Sequence, residues 1–390
     1  MGSIQEDPSS PPHQPPIITV SLSSLQSNSI PLSTLEAAFG PSSLGILLVK
    51  DLPPTFPALR SKLLSYASYL AALPASTLST VEVPSARYNV GWSHGKEILA
   101  NGAYDVHKGS YYVQPVHDEA LEAKGRELYP ELRDMTSGNV WLEEDVLPGF
   151  RGVMEEMCGT VIEVAALVAR SCDFYGEMRI EGYRRGVLEG IVRGSVATKA
   201  RLLHYFPPPP ASPSPPSTTT TPASASDVPE KEKETPDDDW CGTHTDLGAL
   251  TGLTSNMFVD ESLHPPSPLP PTDPSGTLPP LPEMSSHPDP KAGLWIKDRA
   301  GRVTQVQIPR DCLAFQTGEA LQVITKGEFR AVPHFVRGGK VEGEQGRVAR
   351  NTLAVFTQPN LWEVLEEEEE GSGKGRTFAD LAGEVFGRTV

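Results

Sequence analysis

Apolar and polar positions change period along the chain. Ile17-Ile18-Thr19-Val20 and Gly45-Ile46-Leu47-Leu48-Val49 are short β-branched and aliphatic runs that predict strands. Between them, residues 33–39 predict a short helix. Ser33 is its candidate N-cap, with Glu36 three residues on as in a capping box. Residues 56–73 carry Leu, Tyr and Ala at helical intervals and stop before Pro74. Residues 148–172 give the strongest helical pattern. Pro148-Gly149 marks the start, and Val153, Met157, Val161, Val164, Ala165 and Val168 form an apolar stripe at spacings of three and four. A shorter helix is predicted over 178–188. The stretch 84–114 has no clean period and is crowded with Tyr88, Trp92, Tyr104, Tyr111 and Tyr112. It reads equally as irregular strands or loops over a cavity and as ordinary surface packing.

The second half turns to short apolar runs separated by glycine and charge. Residues 201–206 predict a strand that stops at Pro207. Further strands are predicted over 249–258, 293–297, 304–308, 312–316, 321–325 and 352–356, with a hairpin turn at Lys326-Gly327 and a closing helix over 377–386. Short strands at this spacing predict a sandwich or double-sheet barrel, with helices of the first half packed outside. The fold class is therefore mixed α/β with a mainly β core. It divides into an N-terminal α/β region, 1–147, and a β-rich region with supporting helices, 148–390.

Composition changes this picture at two places. The chain holds 39 Pro among 390 residues, and they are clustered. Residues 208–239 run through Pro, Ser and Thr into charge, and 262–290 are again dominated by Pro and Ser. Both predict disordered insertions, because neither has enough apolar surface to offset the entropy of ordering. The formal net charge of -17 argues against a nucleic-acid binder held by phosphate contacts. The run Glu366 to Glu370 reads as solvated surface. Four widely spaced cysteines, with no CxxC pair, fit reduced thiols in a cytoplasmic protein. No secretory signal is visible, and no apolar run approaches the roughly 20 residues of a membrane span.

The candidate chemistry centres on His244-Thr245-Asp246-Leu247-Gly248. A His and an Asp two residues apart on an extended strand face the same way. A second imidazole from another strand would complete two nitrogens and one carboxylate, the facial set that leaves open positions on a non-haem Fe(II). His334 is the candidate. His94, His107 and His117 lack a partner at ligand spacing.

In this context residues 200–356 resemble the catalytic core of the 2-oxoglutarate- and Fe(II)-dependent dioxygenases, in the isopenicillin-N-synthase-like branch. The resemblance is carried by Arg201 to Pro207, His244 to Thr251, Gln316-Thr317-Gly318-Glu319-Ala320-Leu321, Thr325-Lys326-Gly327-Glu328-Phe329, His334, and Arg350-Asn351-Thr352. It extends weakly to Gly45–Pro53 and Pro148-Gly149-Phe150. It implies a double-stranded β-helix (jelly roll, cupin-like) and a metal triad of His244, Asp246 and His334. It also implies a co-substrate clamp in which Arg350 and Thr352 meet the distal carboxylate of 2-oxoglutarate. Arg350 is preferred to Arg347 because Thr352 supplies a hydroxyl on the same strand face. Tyr205 reads as a co-substrate or substrate contact or equally as cross-strand packing, and His204 is undecided.

The expected activity is an Fe(II)- and 2-oxoglutarate-dependent oxygenase of specialised metabolism or catabolism. It would act on a small organic substrate with O2, by hydroxylation, desaturation or cyclisation, without nucleic acid or membrane. Two alternatives stay open: an Fe(II)/O2 oxidase of the same fold that uses no 2-oxo acid, and a non-catalytic binding or scaffold protein.

Overall fold

The short apolar runs become strands of two sheets that close on a shared interior. The structure is a computed structural model, and it describes residues 17–98, 102, 104–207, 241–299, 301–339, 347–367 and 375–387. In chain order the strands are β1 (Ile18–Ser21), β2 (Ile46–Lys50), β3 (Gly91–His94), β4 (Lys108–Val113), β5 (Lys199–Tyr205), β6 (Cys241–His244), β7 (Leu250–Thr254) and β8 (Met257–Asp260). They continue with β9 (Gly293–Lys297), β10 (Val303–Val306), β11 (Leu313–Thr317), β12 (His334–Arg337) and β13 (Val348–Thr357). The larger sheet runs β1-β2-β11-β7-β13-β5-β4-β3, with β8 also paired to β13. The smaller runs β10-β9-β12-β6. Between them lies an apolar layer that includes Leu203, Ala314 and Ala354 from the larger sheet and Leu294, Ile296, Val306 and Val336 from the smaller. This is a double-stranded β-helix.

The outer face of the larger sheet is covered by helices, chiefly Phe56–Ala71 and Phe150–Arg179. Their apolar stripes join the sheet in one core, where Leu63, Met157, Val161, Leu202, Phe315, Leu353 and Val355 are buried. The sequence boundary at 147 marks a change of pattern and not an edge of this sheet. β2 pairs with β11, and β4 pairs with β5.

Three local expectations are corrected, and one that stayed open takes the strand alternative. The long helix continues to Arg179, and the next one is Val187–Gly194; Gly182 and Gly186, at φ 71° and 66°, break the pattern read over 178–188. The β-branched run at 321–325 lies in a helix, Glu319–Ile324, because its neighbours need backbone donors at that point. The first helix of eight residues, Leu32–Phe39, is capped by Pro31 without a side-chain bond, so Ser33 is not its N-cap. The aperiodic stretch 84–114 supplies two buried strands, with Trp92, Tyr111 and Tyr112 inside.

The largest correction concerns 262–290. Composition predicts disorder, yet the segment is fastened to one face of the helix Phe56–Ala71. Tyr66 Oη accepts the Leu278 amide at 2.9 Å, Ser65 Oγ accepts that of Leu281 at 2.8 Å, and Tyr69 Oη donates to the Pro279 carbonyl at 2.9 Å. Lys62 pairs with Asp273 at 3.1 Å, and Arg60 pairs with Glu283 at 2.9 Å. Leu278 and Leu281 are buried. Two apolar anchors and a row of polar partners at helical spacing replace the bulk hydrophobicity that the segment lacks. The other insertion, 208–239, lies outside the described residues.

Candidate active site

The strand order brings distant residues together at one end of the interior. In the register of β12 and β6, His334 sits opposite His244. Asp246 follows β6, and its carboxylate Oδ1 is 3.8 Å from Nε2 of each histidine. One ligand atom from each of the three lies within 4.8 Å of the others, and this is the His/Cys/Asp/Glu grouping of metal-binding geometry among the described residues. His94 instead contacts the Val106 carbonyl through Nε2 at 3.0 Å.

Neighbouring groups fix the orientation of these side chains. His244 Nδ1 lies 2.7 Å from the Gly242 carbonyl, so that nitrogen carries a proton and Nε2 turns to Asp246. The Gln316 amide is 2.7 Å from His334 Nδ1, and the Val332 carbonyl is 3.3 Å from it. The amide atom facing Nδ1 is Gln316 Nε2, while its Oε1 is buried without a partner; exchanging the two amide atoms lets both groups accept Nδ1–H and leaves the His334 Nε2 lone pair available. Thr251 donates to Asp246 Oδ2 at 2.6 Å, which fixes the carboxylate while Oδ1 faces the imidazoles.

The helix Glu319–Ile324 explains the local chain path. The Glu319 amide donates to the Asp246 carbonyl at 2.8 Å, and the Ala320 amide to that of Leu247 at 3.1 Å. The helix terminus thus uses its free N–H groups to hold the Asp246 loop. Gly318 is required here, because a Cβ would meet the Gly248 oxygen at 2.2 Å.

Charge favours a cation at this point. Burial works against protonation of His244, but Cys241, Asp246 and the Gly242 carbonyl outweigh it and raise its pKa to about 9. Burial lowers the pKa of His334, partly opposed by Asp246. A metal ion among these groups competes with the proton on His244 for the same lone pair.

A cavity of about 350 Å³ runs from the triad between the sheets. Arg350, Thr352 and Tyr205 all line it. Arg350 is 3% exposed, and its guanidinium lies 4.6 Å above the Tyr205 ring centroid. Tyr205 faces the cavity and is the cross-strand neighbour of Arg350. Arg350 Nη2 donates to Asn256 Oδ1 at 2.6 Å. Thr352, two positions on, lies on the same strand face as the strand period requires. Arg347 is exposed outside the cavity. His204 is on the opposite face, bonded through Nδ1 to Asn351 Oδ1 at 2.8 Å. Apolar walls come from Leu203, Leu253, Leu294 and Val336.

Sequence reading assigns no role to Gln316, Thr251 or Asn256. The first two lie inside quoted motifs, and strand alternation puts them on the inward face. Asn256 gives no such signal, because 249–258 reads as one strand and is interrupted there. The ordered segment also brings Glu283 and His287 to the cavity wall.

No family model matches the chain, and no curated protein matches it. Solved structures do. The chain is similar to a full-length Neurospora crassa protein in complex with alpha-KG and 5-formyluracil, at 18% identity and TM-score 0.58 over 98% of this chain and 99% of that one. A Caulobacter crescentus protein described under the 2OG-Fe(II) oxygenase family matches at 16% identity and TM-score 0.62, over 97% and 100%. JOX2 in complex with 2OG, Fe and JA matches at 13% identity and TM-score 0.55, over 97% and 87%. In fold, this chain is similar over nearly its whole length to the 2OG-Fe(II) oxygenases.

Proposed function

We propose that this protein is an Fe(II)- and 2-oxoglutarate-dependent oxygenase that oxidises a small organic molecule. One observation carries the reading: the His244–Asp246–His334 cluster and the buried Arg350 line the same cavity. The donor set of two imidazole nitrogens and one carboxylate oxygen suits non-haem iron and leaves positions for further ligands. Fold neighbours solved with 2-oxoglutarate and, in one case, Fe support it.

In this reading His244, Asp246 and His334 hold the metal on one face. When bound, iron with 2-oxoglutarate and O2 supplies the oxidising chemistry, with release of succinate and CO2. The chain's residues set where this happens. Arg350 meets the distal carboxylate of the 2-oxo acid in a charge-assisted pair, and Thr352 adds a hydroxyl donor. The Tyr205 ring keeps the guanidinium plane in place by a cation–π contact. Leu203, Leu253, Leu294 and Val336 exclude water around the reacting groups and strengthen these electrostatic contacts. His244, whose side chain is 43% exposed, marks the end through which substrate reaches the metal. Hydroxylation, desaturation and cyclisation are all open to such a site.

The test measures Fe(II)-dependent conversion of 2-oxoglutarate to succinate with a panel of small metabolites, with the product read by mass. Substrate-stimulated succinate is the expected result. Iron binding and oxygen consumption without use of 2-oxoglutarate would favour the oxidase alternative. No iron binding would favour the scaffold alternative. Among the described residues no helix is long and apolar enough to cross a membrane.

A further inference from the structure

We infer that Asn256 is a positioning residue for the co-substrate clamp, held in place by Arg60 and Glu283 from outside the β core. This rests on the reading of Arg350 as the 2-oxoglutarate clamp. The origin of the arrangement is a break in one strand. β7 pairs with β13 at 354–357 and β8 pairs with it at 348–351, so Ser255 and Asn256 interrupt an otherwise continuous neighbour of β13. The break turns the Ser255 and Asn256 carbonyls away from the ladder, where they need another donor.

Arg60 supplies that donor. It projects from the helix Phe56–Ala71, is 1% exposed, and directs Nη2 to the Asn256 carbonyl at 2.6 Å and the Ser255 carbonyl at 3.3 Å. Its charge is met by Glu283, which accepts from Nη1 at 3.0 Å and from Nη2 at 2.9 Å. Glu283 belongs to the segment 262–290 and also meets Arg310 at 3.1 Å. So fixed, Asn256 places its side-chain oxygen 2.6 Å from Arg350 Nη2.

The chemistry of the acceptor matters. A neutral amide oxygen orients the guanidinium without cancelling its charge, which stays available to an anionic ligand. A carboxylate at this position would orient Arg350 equally well and compete with the ligand for it. The Glu283 carboxylate is shared by Arg60 and Arg310. Arg60 thus links an N-terminal helix and the Pro-rich segment to a residue on the central strand of the sheet.

The experiment is calorimetric titration of 2-oxoglutarate into the Fe(II)-loaded protein under nitrogen, with iron affinity and melting temperature measured on the same samples. Asn256→Ala should weaken 2-oxoglutarate about tenfold, the scale of one hydrogen bond to a charged group. Asn256→Asp should weaken it further, by about a hundredfold, although it keeps an acceptor of the same shape. Iron affinity should stay within about twofold in both. In an Arg350→Lys background, Asn256→Ala should add little, because the two residues act as one unit. Arg60→Lys should reproduce a partial loss of 2-oxoglutarate affinity, since an ammonium cannot serve two carbonyls and a carboxylate in one plane. Equal affinity in wild type, Asn256→Ala and Asn256→Asp, with Arg350→Lys impaired, overturns the inference and leaves the clamp standing. Parallel losses of iron and 2-oxoglutarate affinity also overturn it, because they mark a structural role. If Arg350→Lys itself binds 2-oxoglutarate normally, the clamp reading falls, and this inference with it.

Discussion

The two ends of the cavity are built differently. At the proposed metal end, His244 closes the four-residue edge strand β6 with its side chain 43% exposed, and Asp246 sits in the loop beyond it. At the proposed clamp end, Arg350, Thr352 and Tyr205 lie on β13 and β5, inside the larger sheet, and none is more than 7% exposed. The metal end is held by short polar contacts from Gln316, Thr251, the Gly242 carbonyl and the Glu319 amide. The clamp end is held by ladder pairing, by packing and by the Asn256 contact to Arg350. In the proposed reading, an edge strand and a loop leave an approach for substrate and oxygen. A central strand keeps water away from a guanidinium whose value depends on a low local dielectric. The cavity therefore grades from adjustable to rigid along its length, and each end can be perturbed separately.

The largest separation is expected from Asp246→Ala. It removes the only anionic donor of the three and leaves two imidazoles facing one another across 4.3 Å between ring centroids. Iron affinity and turnover should both be lost, while the thermal transition persists because the clamp end carries the packing. Normal iron binding by this variant, in a metal titration, would remove the triad as the metal site.

Arg350→Ala should do the reverse. Iron should bind as before, and the 2-oxoglutarate concentration for half-maximal succinate formation should rise. Loss of a buried charge-assisted contact costs about 2 to 4 kcal/mol, or about 30- to 1,000-fold in affinity. Arg350→Lys should recover part of it, and Thr352→Ser should be close to wild type. A strong effect of the exposed Arg347→Ala, with Arg350→Ala silent, would mean that the clamp lies elsewhere.

How much of this contrast is legible in the sequence follows from how each contact is encoded. His244, His334, Arg350 and Thr352 sit in strands whose period-two alternation predicts their facing, whereas Asp246, expected on an extended strand, lies in the loop after β6; the resemblance supplies their order. The sheet is legible for the same reason, since β5, β9 and β13 are rich in aliphatic residues. The segment 262–290 is not, because its order comes from Tyr66, Tyr69, Lys62 and Arg60, about 200 positions away, and composition windows do not see partners. The helix Glu319–Ile324 reads as a strand for a related reason: Val323 and Ile324 favour β locally, whereas the loop at Asp246 needs a helix terminus. Local pattern reports which face a residue takes. It does not report what waits on the other side.

A smaller effect at the metal end tests whether its orienting contacts matter. Gln316→Leu keeps the volume and removes the partner of His334 Nδ1, 2.7 Å away in a fully buried site. Iron affinity should fall about 10- to 100-fold, the usual scale for losing the outer partner of a ligating histidine. 2-Oxoglutarate affinity, measured at saturating iron, should change little. Comparable losses of both would show that the two ends are coupled through β11 and that the graded picture is too simple.

The smallest effect probes the rear of the clamp. Behind Arg350 and Tyr205, on the opposite strand faces, Asn351 bonds His204, and Glu261 Oε1 is 3.9 Å from His204 Nε2. Burial raises the Glu261 pKa to about 7, with Ser68 and Arg347 opposing, and burial lowers that of His204 to about 4, opposed by the Asn351 contact. Both side chains are therefore held towards their neutral forms. The signs follow from linkage. Glu261 has a folded pKa above its ordinary value of 4.5, so its contribution is fully present below pH 4.5 and is lost as pH rises through about 7. His204 has a folded pKa below its ordinary 6.5, so its contribution is present above pH 6.5 and is lost as pH falls through about 4. Glu261→Gln replaces the titrating group by a neutral one of the same shape. It should match wild type near pH 5 and exceed it near pH 8 by about 1 to 3 kcal/mol, with a melting temperature higher by a few degrees. The measurement is melting temperature against pH for both proteins. A gap that is constant from pH 5 to pH 8 would mean that Glu261 is ionised throughout. The rear of the clamp would then hold a buried charge, and the rigid end of the cavity would depend on ion pairing as well as on packing.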